Sequence, residues 1–320
     1  MSAVQTVLDA GGEGVTRMME RLEQRMAAIT SGYGPDLVRH AGETIAAGGK
    51  RLRPLLVFLV AGVPPPETDG LVRAAVAVEL VHSASLVHDD VLDRAALRRG
   101  RPSVMAAGGR EKATATGDLL FARAFAELAG GGSADAVRSL SRASSALARG
   151  ELMQRADAWS AEVSSARYLE RCRLKTGVLF RAACELGAIE GGGAVDALGS
   201  FGEHIGIAFQ ILDDVLDITG PPERTGKPQG TDLLDGTVTL PLIIARDRDS
   251  ELAALDLRDV RTPAQAVDVC QRLAATGALP VARDQALELV AEAKGMLPPL
   301  ARRQLEVLKL VADGVVERYS

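Results

Sequence analysis

Residues 86–93 read LVHDDVLD, and the last five letters, DDVLD at Asp89–Asp93, return unchanged at Asp213–Asp217. Each copy ends a mostly apolar run, 76–87 before the first and 205–212 before the second, and neither is followed at once by a helix breaker. Both copies are therefore predicted to be the polar ends of buried helices. On a helix the first and fifth residues lie one turn apart on the same face, so each copy presents a pair of carboxylates.

The composition of the whole chain favours helices. With 320 residues, 47% of them apolar and 25% charged, the chain has ordinary globular composition. Only 3% of the residues are aromatic and β-branched runs are few, which favours helix over sheet. An all-α protein is the expectation. The net charge of −5 gives no reason to expect nucleic acid or an anionic membrane as a partner, so any positive site must be local.

Cysteines and the N-terminus indicate a cytoplasmic location. Cys172, Cys184 and Cys270 match neither a disulfide framework nor a zinc site, so reduced structural thiols are expected. The N-terminus lacks the basic start and apolar core of a signal peptide. The longest apolar stretch, near 55–63, stops at three consecutive prolines, and no membrane span is predicted.

Glycine and proline clusters divide the chain into segments with helical periodicity. They lie at 48–49, 64–66, 108–109, 130–132, 191–193 and 220–222. They are interpreted as interhelical loops, and none is long enough for an interdomain linker. The prediction is a single domain over residues 1–320 with about ten to twelve helices.

The repeated motif predicts a metal site. If the two helix ends face one cavity, their carboxylates repel one another and need cations. Hard oxygen ligands without His or Cys suit Mg²⁺, which bridges a few carboxylates to substrate phosphates. A single Asp-Asp pair would more often be a solvated helix cap, but two identical copies after apolar helices argue against that alternative. The six carboxylates are Asp89, Asp90, Asp93, Asp213, Asp214 and Asp217.

Two short basic segments lie near the acidic motifs. Lys50-Arg51-Leu52-Arg53 follows paired glycines, which let backbone amides approach an anion, and Pro54 suits the start of the next helix. Arg98, Arg99 and Arg101 follow the first motif closely. An ordinary basic loop remains an alternative for the first segment, and ion pairing with the acidic motif for the second.

Further candidates are scattered along the chain. Lys175-Thr176-Gly177 and Phe209-Gln210 are polar interruptions, although Lys175 alone is more often a surface lysine. Lys227 follows the second motif in a Gly/Pro-rich loop, from which a lysine can close over metal-bound phosphates. His82 lies two helical turns before Asp89 on roughly the same face, which favours a site role, whereas His88 simply orients a neighbouring carboxylate.

Taken in order, these motifs resemble the trans-polyprenyl diphosphate synthase family. They are GGKRLRP, HSASLVHDDVLD, RRGRPS, GDLLFARAF, KTG, FQILDDVLD, GKPQGTDL and TLP, and they cover about residues 40–245. The resemblance implies an all-α bundle around a deep central cavity, usually a homodimer. It implies an allylic diphosphate and isopentenyl diphosphate as substrates and three Mg²⁺ ions as cofactor.

The resemblance also implies roles for individual residues. Asp89, Asp93 and Asp213 would hold the metal cluster. Asp90, Asp214 and Asp217 would be oriented around them or bind through water, with Asp90 counted among the metal-site residues. Arg98, Lys175, Gln210 and Lys227 would hold the allylic diphosphate, and Thr176 the departing pyrophosphate. Isopentenyl diphosphate would be held by Lys50, Arg53, His82 and Arg99.

The reaction that this resemblance implies is prenyl chain elongation. The allylic C–O bond ionises, the homoallylic double bond attacks the cation, and a proton is lost to the released pyrophosphate. Metal and basic groups stabilise the charge that builds on the leaving diphosphate. Apolar walls keep water from the cation. No protein nucleophile is required, and none is apparent in the sequence.

Product length in the family is set by residues below the first acidic motif. Here these are Ala84 and Ser85, and because both are small, a product of twenty carbons or longer is expected. A lower floor would come from Leu80, Val81, Phe121 or Phe125. The alternative is that the small residues merely pack helices closely.

One residue departs from the family pattern. Thr237 stands where the family commonly has a lysine just before TLP, so one cation for the diphosphate is missing. Two other functions stay open at this point. A terpene cyclase would need no isopentenyl diphosphate site, which Lys50, Arg53 and Arg99 argue against. A non-catalytic subunit of a heteromeric synthase would have lost carboxylates that this chain keeps.

Overall fold

The computed structural model describes residues 3–29, 34–46, 49–98, 100–220 and 228–317. Within them the chain forms sixteen α-helices, a π-helical turn at Arg173–Gly177 and a 3₁₀ turn at Leu257–Asp259. The helices are α1 (Ala3–Gly11), α2 (Glu13–Ile29), α3 (Pro35–Ala46), α4 (Leu52–Ala61), α5 (Asp69–Asp93), α6 (Val104–Gly131), α7 (Ala134–Asp157), α8 (Ser165–Cys172), α9 (Val178–Gly191), α10 (Val195–Thr219), α11 (Thr231–Leu234), α12 (Leu240–Arg246), α13 (Ser250–Ala254), α14 (Pro263–Ala275), α15 (Ala278–Gly295) and α16 (Arg302–Glu317). A short antiparallel hairpin pairs β1 (Leu97–Arg98) with β2 (Arg101–Pro102).

The predicted all-α class is confirmed, but ten to twelve helices was too low a number. The difference comes from short helices such as α11 and α13, which have four and five residues. Segments of that length contain too little of the 3.6-residue period to be seen in sequence. The break expected at Gly108–Gly109 is a kink inside α6, where Gly109 has φ 78° and ψ 172°.

The chain forms two compact units. The first contains Met1–Ser144, Leu179–Gly199 and Leu297–Val311, and the second contains Ser145–Val178, Ser200–Met296 and Ala312–Ser320. The single domain expected over residues 1–320 stays a prediction, as does the central cavity.

Helix α5 is the core of the first unit. It packs most extensively against α6 and also against α4 and α2. Nearly all of its first half is buried, from Leu71 to Val81. An 18-residue window of α5 has a mean hydropathy of 1.5, and 72% of that window is buried inside the protein. Among the described residues, α5 and not the stretch near 55–63 is therefore long and apolar enough to cross a membrane. A buried core helix has the same length and composition.

Close packing of α9 on α4 in the same unit depends on two glycines. A Cβ atom added at Gly187 would lie 2.4 Å from the carbonyl oxygen of Val57, and one at Gly191 would lie 2.4 Å from that of Ala61. The two glycines are one helical turn apart, so they form a flat strip along α9. Any larger side chain there must push the two helices apart.

In the second unit, α12 packs against α13, α14, α15 and α8. Its core includes Leu240 and Leu242, and α15 contributes the small residues Ala282 and Ala286, all of them fully or almost fully buried. Short helix α11 lies against α14. This packing supports residues 231–239, which include Thr237.

Replacing Gly187 with Ala tests the α4–α9 packing. Overpacking against a backbone carbonyl is expected to lower the free energy of unfolding by about 1–3 kcal/mol, measured by urea denaturation. Gly295→Ala is the matched control, because a Cβ atom there would meet nothing within 4 Å. That control is expected to change stability by less than about 0.5 kcal/mol. Equal effects of the two substitutions would contradict the close packing.

Candidate active site

The first acidic motif occupies the last turns of α5. The helix runs through the whole motif and ends at Asp93, and Arg94 follows in the left-handed region with φ 52°. Asp89 is half-buried and Asp93 is exposed. The predicted polar end of a buried helix is therefore present in the first unit, and the motif offers two carboxylates one turn apart.

Asp90 points away from this pair and into the protein. Its side chain is 3% exposed, and its Oδ1 accepts hydrogen bonds from Nε of Arg98, at 2.9 Å, and from Nη2. Burial raises the pKa of Asp90, a shift that the hydrogen bond and charge of Arg98 oppose and the nearby Asp93 adds to. The assignment of Asp90 to the metal site stays a prediction, and the structure gives it another role, that of holding Arg98.

Arg98 is carried by the β1–β2 hairpin. It pairs with Arg101 across the two strands, and Gly100 adopts φ 75° between them. The Oγ of Ser103 anchors the end of the hairpin by donating to the carbonyl of Ala95. The predicted ligand Arg99 lies outside the described residues. The hairpin therefore keeps Arg98 beside the last turns of α5.

The basic segment Lys50–Arg53 is fixed by a residue that the sequence did not single out. Arg51 is buried and adopts the left-handed conformation with φ 46°. Its guanidinium donates to Glu79 at 2.8 Å, to Glu23 at 2.7 Å and to the carbonyl of Ile45 at 2.9 Å. Left-handed backbone is costly for a non-glycine residue and persists where its surroundings enforce it.

The predicted ligands on either side of Arg51 differ in exposure. Lys50 is exposed, and Arg53 is half-buried with its Cζ 4.6 Å from the centre of the Phe180 ring. This distance is within the range of a cation–π contact. Lys50 thus lies at the surface, whereas Arg53 is held in part by an aromatic face.

The α5 residues before the motif divide into two sets. His82 and Ser85 are half-buried, and Ser85 Oγ donates to the carbonyl of His82 at 2.8 Å. Ala84 is fully buried. Of the two residues predicted to set product length, only Ser85 therefore has an exposed fraction.

The ring of His88 stacks on Phe121 with centroids 5.7 Å apart, and its Nε2 lies 3.2 Å from Asp118, so His88 contacts α6.

The second acidic motif lies near the end of α10 in the second unit. The helix continues through the motif to Thr219, and Asp213 and Asp217 are both half-buried. The Oδ2 of Asp217 accepts a hydrogen bond from the backbone N–H of Asp232 at 3.2 Å. Asp217 therefore also holds the start of α11.

Asp214, the second residue of this motif, is buried in a chain of hydrogen bonds. The Tyr168 hydroxyl donates to Oδ2 at 2.6 Å, and Nε2 of Gln210 donates to Oδ1 at 2.8 Å. The Thr176 hydroxyl in turn donates to Oε1 of Gln210 at 2.8 Å. Burial raises the pKa of the Asp214 carboxyl to about 7, although the bonds from Tyr168 and Gln210 oppose the rise.

Lys175 lies on the π-helical turn Arg173–Gly177 that follows α8. Its Nζ donates to Glu151 at 2.7 Å and to Gln154 at 2.9 Å. Helix α7 comes this close because of Gly150, where a Cβ atom would lie 2.9 Å from the side chain of Leu174. Single π turns often mark functional positions in helices. Lys175 is thus fixed by α7 and is not a freely moving surface lysine.

The segment containing Thr237 is held by a buried cation. Arg171 donates to the carbonyl of Val238 and to Asp157 at 3.3 Å, and its side chain is 5% exposed. Thr237 itself is half-buried, and its N–H donates to the carbonyl of Asp232 at 2.8 Å. Arg171 therefore supports the backbone next to the position where a lysine was expected. The predicted ligand Lys227 lies outside the described residues.

Each acidic motif offers a pair of carboxylates to a metal ion. Among the described residues no group of three or more His, Cys, Asp or Glu side chains is arranged to hold a metal ion. Mg²⁺ is commonly held by one or two carboxylates together with waters and substrate phosphates. The pairs Asp89–Asp93 and Asp213–Asp217 therefore fit Mg²⁺ that binds together with a diphosphate.

Sequence reasoning missed the residues that hold the predicted site residues and the segment around Thr237 in place. These are Arg51, Glu79, Glu151, Gln154, Asp157, Tyr168 and Arg171. Most of their bonds join residues more than 20 positions apart, and such contacts leave no periodic signal in a sequence. Left-handed backbone is usually indicated by a glycine or asparagine at the position itself, and Arg51 is neither.

Comparison with known proteins gives consistent results. A family model described as Polyprenyl synthetase matches residues 35–274, which extends beyond the motifs of 40–245. The heptaprenyl diphosphate synthase component 2 of Geobacillus stearothermophilus is 43% identical over 236 residues, which cover 73% of each chain. The geranylgeranyl diphosphate synthase of Methanosarcina mazei is 34% identical over 293 residues, 88% of this chain and 90% of that protein.

A solved structure matches over nearly the whole chain. The crystal structure of a polyprenyl synthase from Caulobacter crescentus, complexed with calcium and isoprenyl diphosphate, has a TM-score of 0.86 and 34% identity. The match covers 99% of this chain and 98% of that one. The likeness therefore includes the segment after residue 245, where the sequence motifs gave little.

The different burial of Asp90 and Asp93 leads to a prediction about stability. Asp90→Ala removes the buried acceptor of Arg98 and is expected to lower the free energy of unfolding by about 1–3 kcal/mol. Asp93→Ala changes an exposed group at a helix C-terminus and is expected to leave stability unchanged or slightly higher. Urea denaturation of both variants measures the difference. The larger loss in Asp93→Ala would contradict the described roles.

Proposed function

The chain belongs to the polyprenyl synthetase family and is a prenyltransferase, and on this basis we propose that it joins an allylic diphosphate to isopentenyl diphosphate in head-to-tail order. The product is an all-trans polyprenyl diphosphate of twenty carbons or more. The observation that supports this most is the pairing of each acidic helix end with predicted diphosphate ligands in its own unit. Arg98 accompanies the first motif, and Gln210 accompanies the second.

We propose Mg²⁺, three ions in all, as the cofactor. The donor set supports this, since Asp89, Asp93 and Asp213 offer hard oxygen ligands and are only half-buried or exposed. The Caulobacter relative, whose crystal structure contains calcium with isoprenyl diphosphate, also supports a divalent cation. When bound, Mg²⁺ supplies Lewis-acid stabilisation of the negative charge on the diphosphate.

The residues of this chain bind and orient the two substrates. Arg98, Lys175, Gln210 and Lys227 hold the allylic diphosphate, and Thr176 contacts the pyrophosphate as it departs. Positive charge fixed beside the leaving group lowers the barrier because the charge on the diphosphate grows as the C–O bond breaks. Glu151 and Gln154 keep Lys175 in one place, so little reorganisation is needed during the reaction.

The second substrate uses a different set of residues. Lys50, Arg53, His82 and Arg99 bind the diphosphate of isopentenyl diphosphate. Its double bond attacks the allylic cation, and the proton lost from the adduct passes to the released pyrophosphate. Apolar side chains of α5 around Ser85 exclude water from the cation. Arg51 serves this step indirectly because it fixes the backbone between Lys50 and Arg53.

We propose that Ser85 and, through packing, Ala84 permit a long product. Ser85 supports this because it is small and half-buried, whereas Ala84 is fully buried and contributes only by letting neighbours pack closely. The product lengths named for the relatives, geranylgeranyl and heptaprenyl, are in agreement.

A homodimer in the cytoplasm is part of the proposal. Support comes from α6, where Ala115, Ala122 and Ala126 are exposed and Leu119 is half-buried. Their spacing of three to four residues places them on one side of the helix, where a second copy would cover them.

A second candidate is a catalytic component that works only with a different subunit. It is favoured by the name of the Geobacillus relative, which is component 2 of its synthase. Under this candidate function, the purified chain would be inactive alone and active after a second subunit is added. No observation favours a terpene cyclase.

The main test is an incubation of the purified chain with Mg²⁺, isopentenyl diphosphate and either geranyl or farnesyl diphosphate. Mass spectrometry is expected to show products that grow in five-carbon steps and end at twenty carbons or beyond.

Asp89→Ala and Asp213→Ala are expected to lower kcat on the order of 100-fold or more, since each removes charge needed at the leaving group.

The matched control for these variants is Asp196→Ala, because Asp196 is a fully exposed carboxylate on the same helix as Asp213. It is expected to keep wild-type turnover. Full turnover in Asp89→Ala or Asp213→Ala would contradict the proposed metal site. A cyclic hydrocarbon, or no product at all, would overturn elongation by the chain alone.

A separate prediction concerns product length. Ser85→Phe places a ring where the prenyl chain grows and is expected to shorten the product by one or more five-carbon units. Ser85→Ala removes the hydroxyl without filling space and is expected to leave the product unchanged. Product masses from the two variants test this prediction. An unchanged product in Ser85→Phe would show that position 85 does not set product length.

A further inference from the structure

Tyr168 is a buried residue that none of the proposed steps uses. It lies on α8 and is 1% exposed. Its hydroxyl donates to Oδ2 of Asp214 at 2.6 Å, although the two residues are 46 positions apart. Burial and the neighbouring carboxylate of Asp214 raise the pKa of Tyr168, so the hydroxyl keeps its proton and remains a donor.

Two cross-links join this segment to α10. Tyr168 bonds to Asp214, and eight residues later Thr176 bonds to Gln210 at 2.8 Å. Asp214 and Gln210 are themselves bonded along α10, again at 2.8 Å. The bonds therefore run continuously from Tyr168 through Asp214 and Gln210 to Thr176, and both ends lie on one segment of chain.

This arrangement fixes the rotation of α10 about its own axis. Each helical residue turns by about 100°, so Asp213 and Asp217 lie on one side of Asp214 and point about 60–100° away from it. When Tyr168 holds Asp214 in the interior, Asp213 and Asp217 are directed to the boundary, and both are half-buried there. The same bonds orient the Gln210 amide, whose oxygen must face Thr176 because its nitrogen faces Asp214.

The ring of Tyr168 is itself held firmly. The guanidinium of Arg171 lies 5.4 Å from the ring centre, and Arg171 is bonded to Asp157 at 3.3 Å. The direction of the hydroxyl is thus determined before any ligand binds.

We propose that Tyr168 is a positioning residue for the second acidic motif, acting through Asp214 to direct Asp213 and Asp217 toward metal-bound diphosphate and to set the amide of Gln210. It touches no substrate itself. The proposal rests on the proposed function for the identity of the ligand, Mg²⁺ with a diphosphate. Loss of the hydroxyl then weakens the metal-dependent step and leaves the isopentenyl diphosphate site unaffected.

The test compares Tyr168→Phe with wild type in the full-length chain. Calorimetric titration of inorganic pyrophosphate in the presence of Mg²⁺ is expected to show about tenfold weaker binding, as is typical when a partner of a metal ligand is removed. In the elongation assay, kcat is expected to fall and the Mg²⁺ concentration for half-maximal activity to rise. KM for isopentenyl diphosphate is expected to stay within about twofold.

Ser139→Ala is the matched control. Ser139 is also a buried hydroxyl that donates to a buried carboxylate, that of Glu185, and both residues belong to the first unit, whereas the second motif belongs to the other. It is expected to lower thermal stability without changing Mg²⁺-dependent pyrophosphate binding. Equal binding in Tyr168→Phe and wild type, or equal changes in Tyr168→Phe and Ser139→Ala, would overturn the positioning role.

Asp214→Asn tests the same chain of bonds at the acceptor of the Tyr168 hydroxyl. It is expected to weaken pyrophosphate binding about as much as Tyr168→Phe, and the double variant is expected to show little further loss, because both substitutions break one pathway. Wild-type binding in Asp214→Asn, or fully additive losses in the double variant, would contradict the proposal. If the wild-type chain forms no prenyl product, the proposed function fails, whereas the binding comparison still decides the role of Tyr168.

Discussion

A carboxylate removed from water must be met by hydrogen-bond donors, and two such carboxylates organise the candidate site. The 3.6-residue period directs the first and fifth residues of each DDVLD motif to one face and turns the second residue away from it. In both copies that second residue, Asp90 or Asp214, is buried. An unpartnered buried carboxylate would cost several kcal/mol, so each is compensated by donors from another segment.

The donors differ between the two copies, and so do the consequences. Asp90 receives Arg98 from the hairpin, which brings a predicted substrate ligand to the end of α5. Asp214 receives Tyr168 and Gln210, which fixes α10 against α8 and the π turn. One sequence motif thus produces two kinds of anchoring, because the second residue meets a guanidinium from a hairpin in one case and a buried tyrosine hydroxyl in the other.

Buried arginines extend the same logic to the loops. Arg51 joins its loop to Glu23 and Glu79, and Arg171 joins Asp157 to the carbonyl of Val238. Replacing such pairs with apolar residues is often neutral or stabilising in proteins, so the pairs are weak evidence for stability, and what the structure shows is a fixed position of the backbone. In the proposed reaction, ionisation of the diphosphate would benefit from this, since charges that are already in place need no reorganisation when the C–O bond breaks.

The sequence by itself determined the all-α class, the two helices that end in paired carboxylates, the basic segments beside them and the family. These follow from local patterns, namely the 3.6-residue period and short motifs of contiguous residues. Only the tertiary structure decided that α6 is one kinked helix, that Ala84 is enclosed while Ser85 is not, and that Tyr168, Arg51 and Arg171 hold the predicted ligands. The Tyr168–Asp214 and Arg171–Val238 bonds span 46 and 67 positions. Which partner a buried charge meets over such a separation depends on how helices pack, and a single sequence carries no local pattern for that.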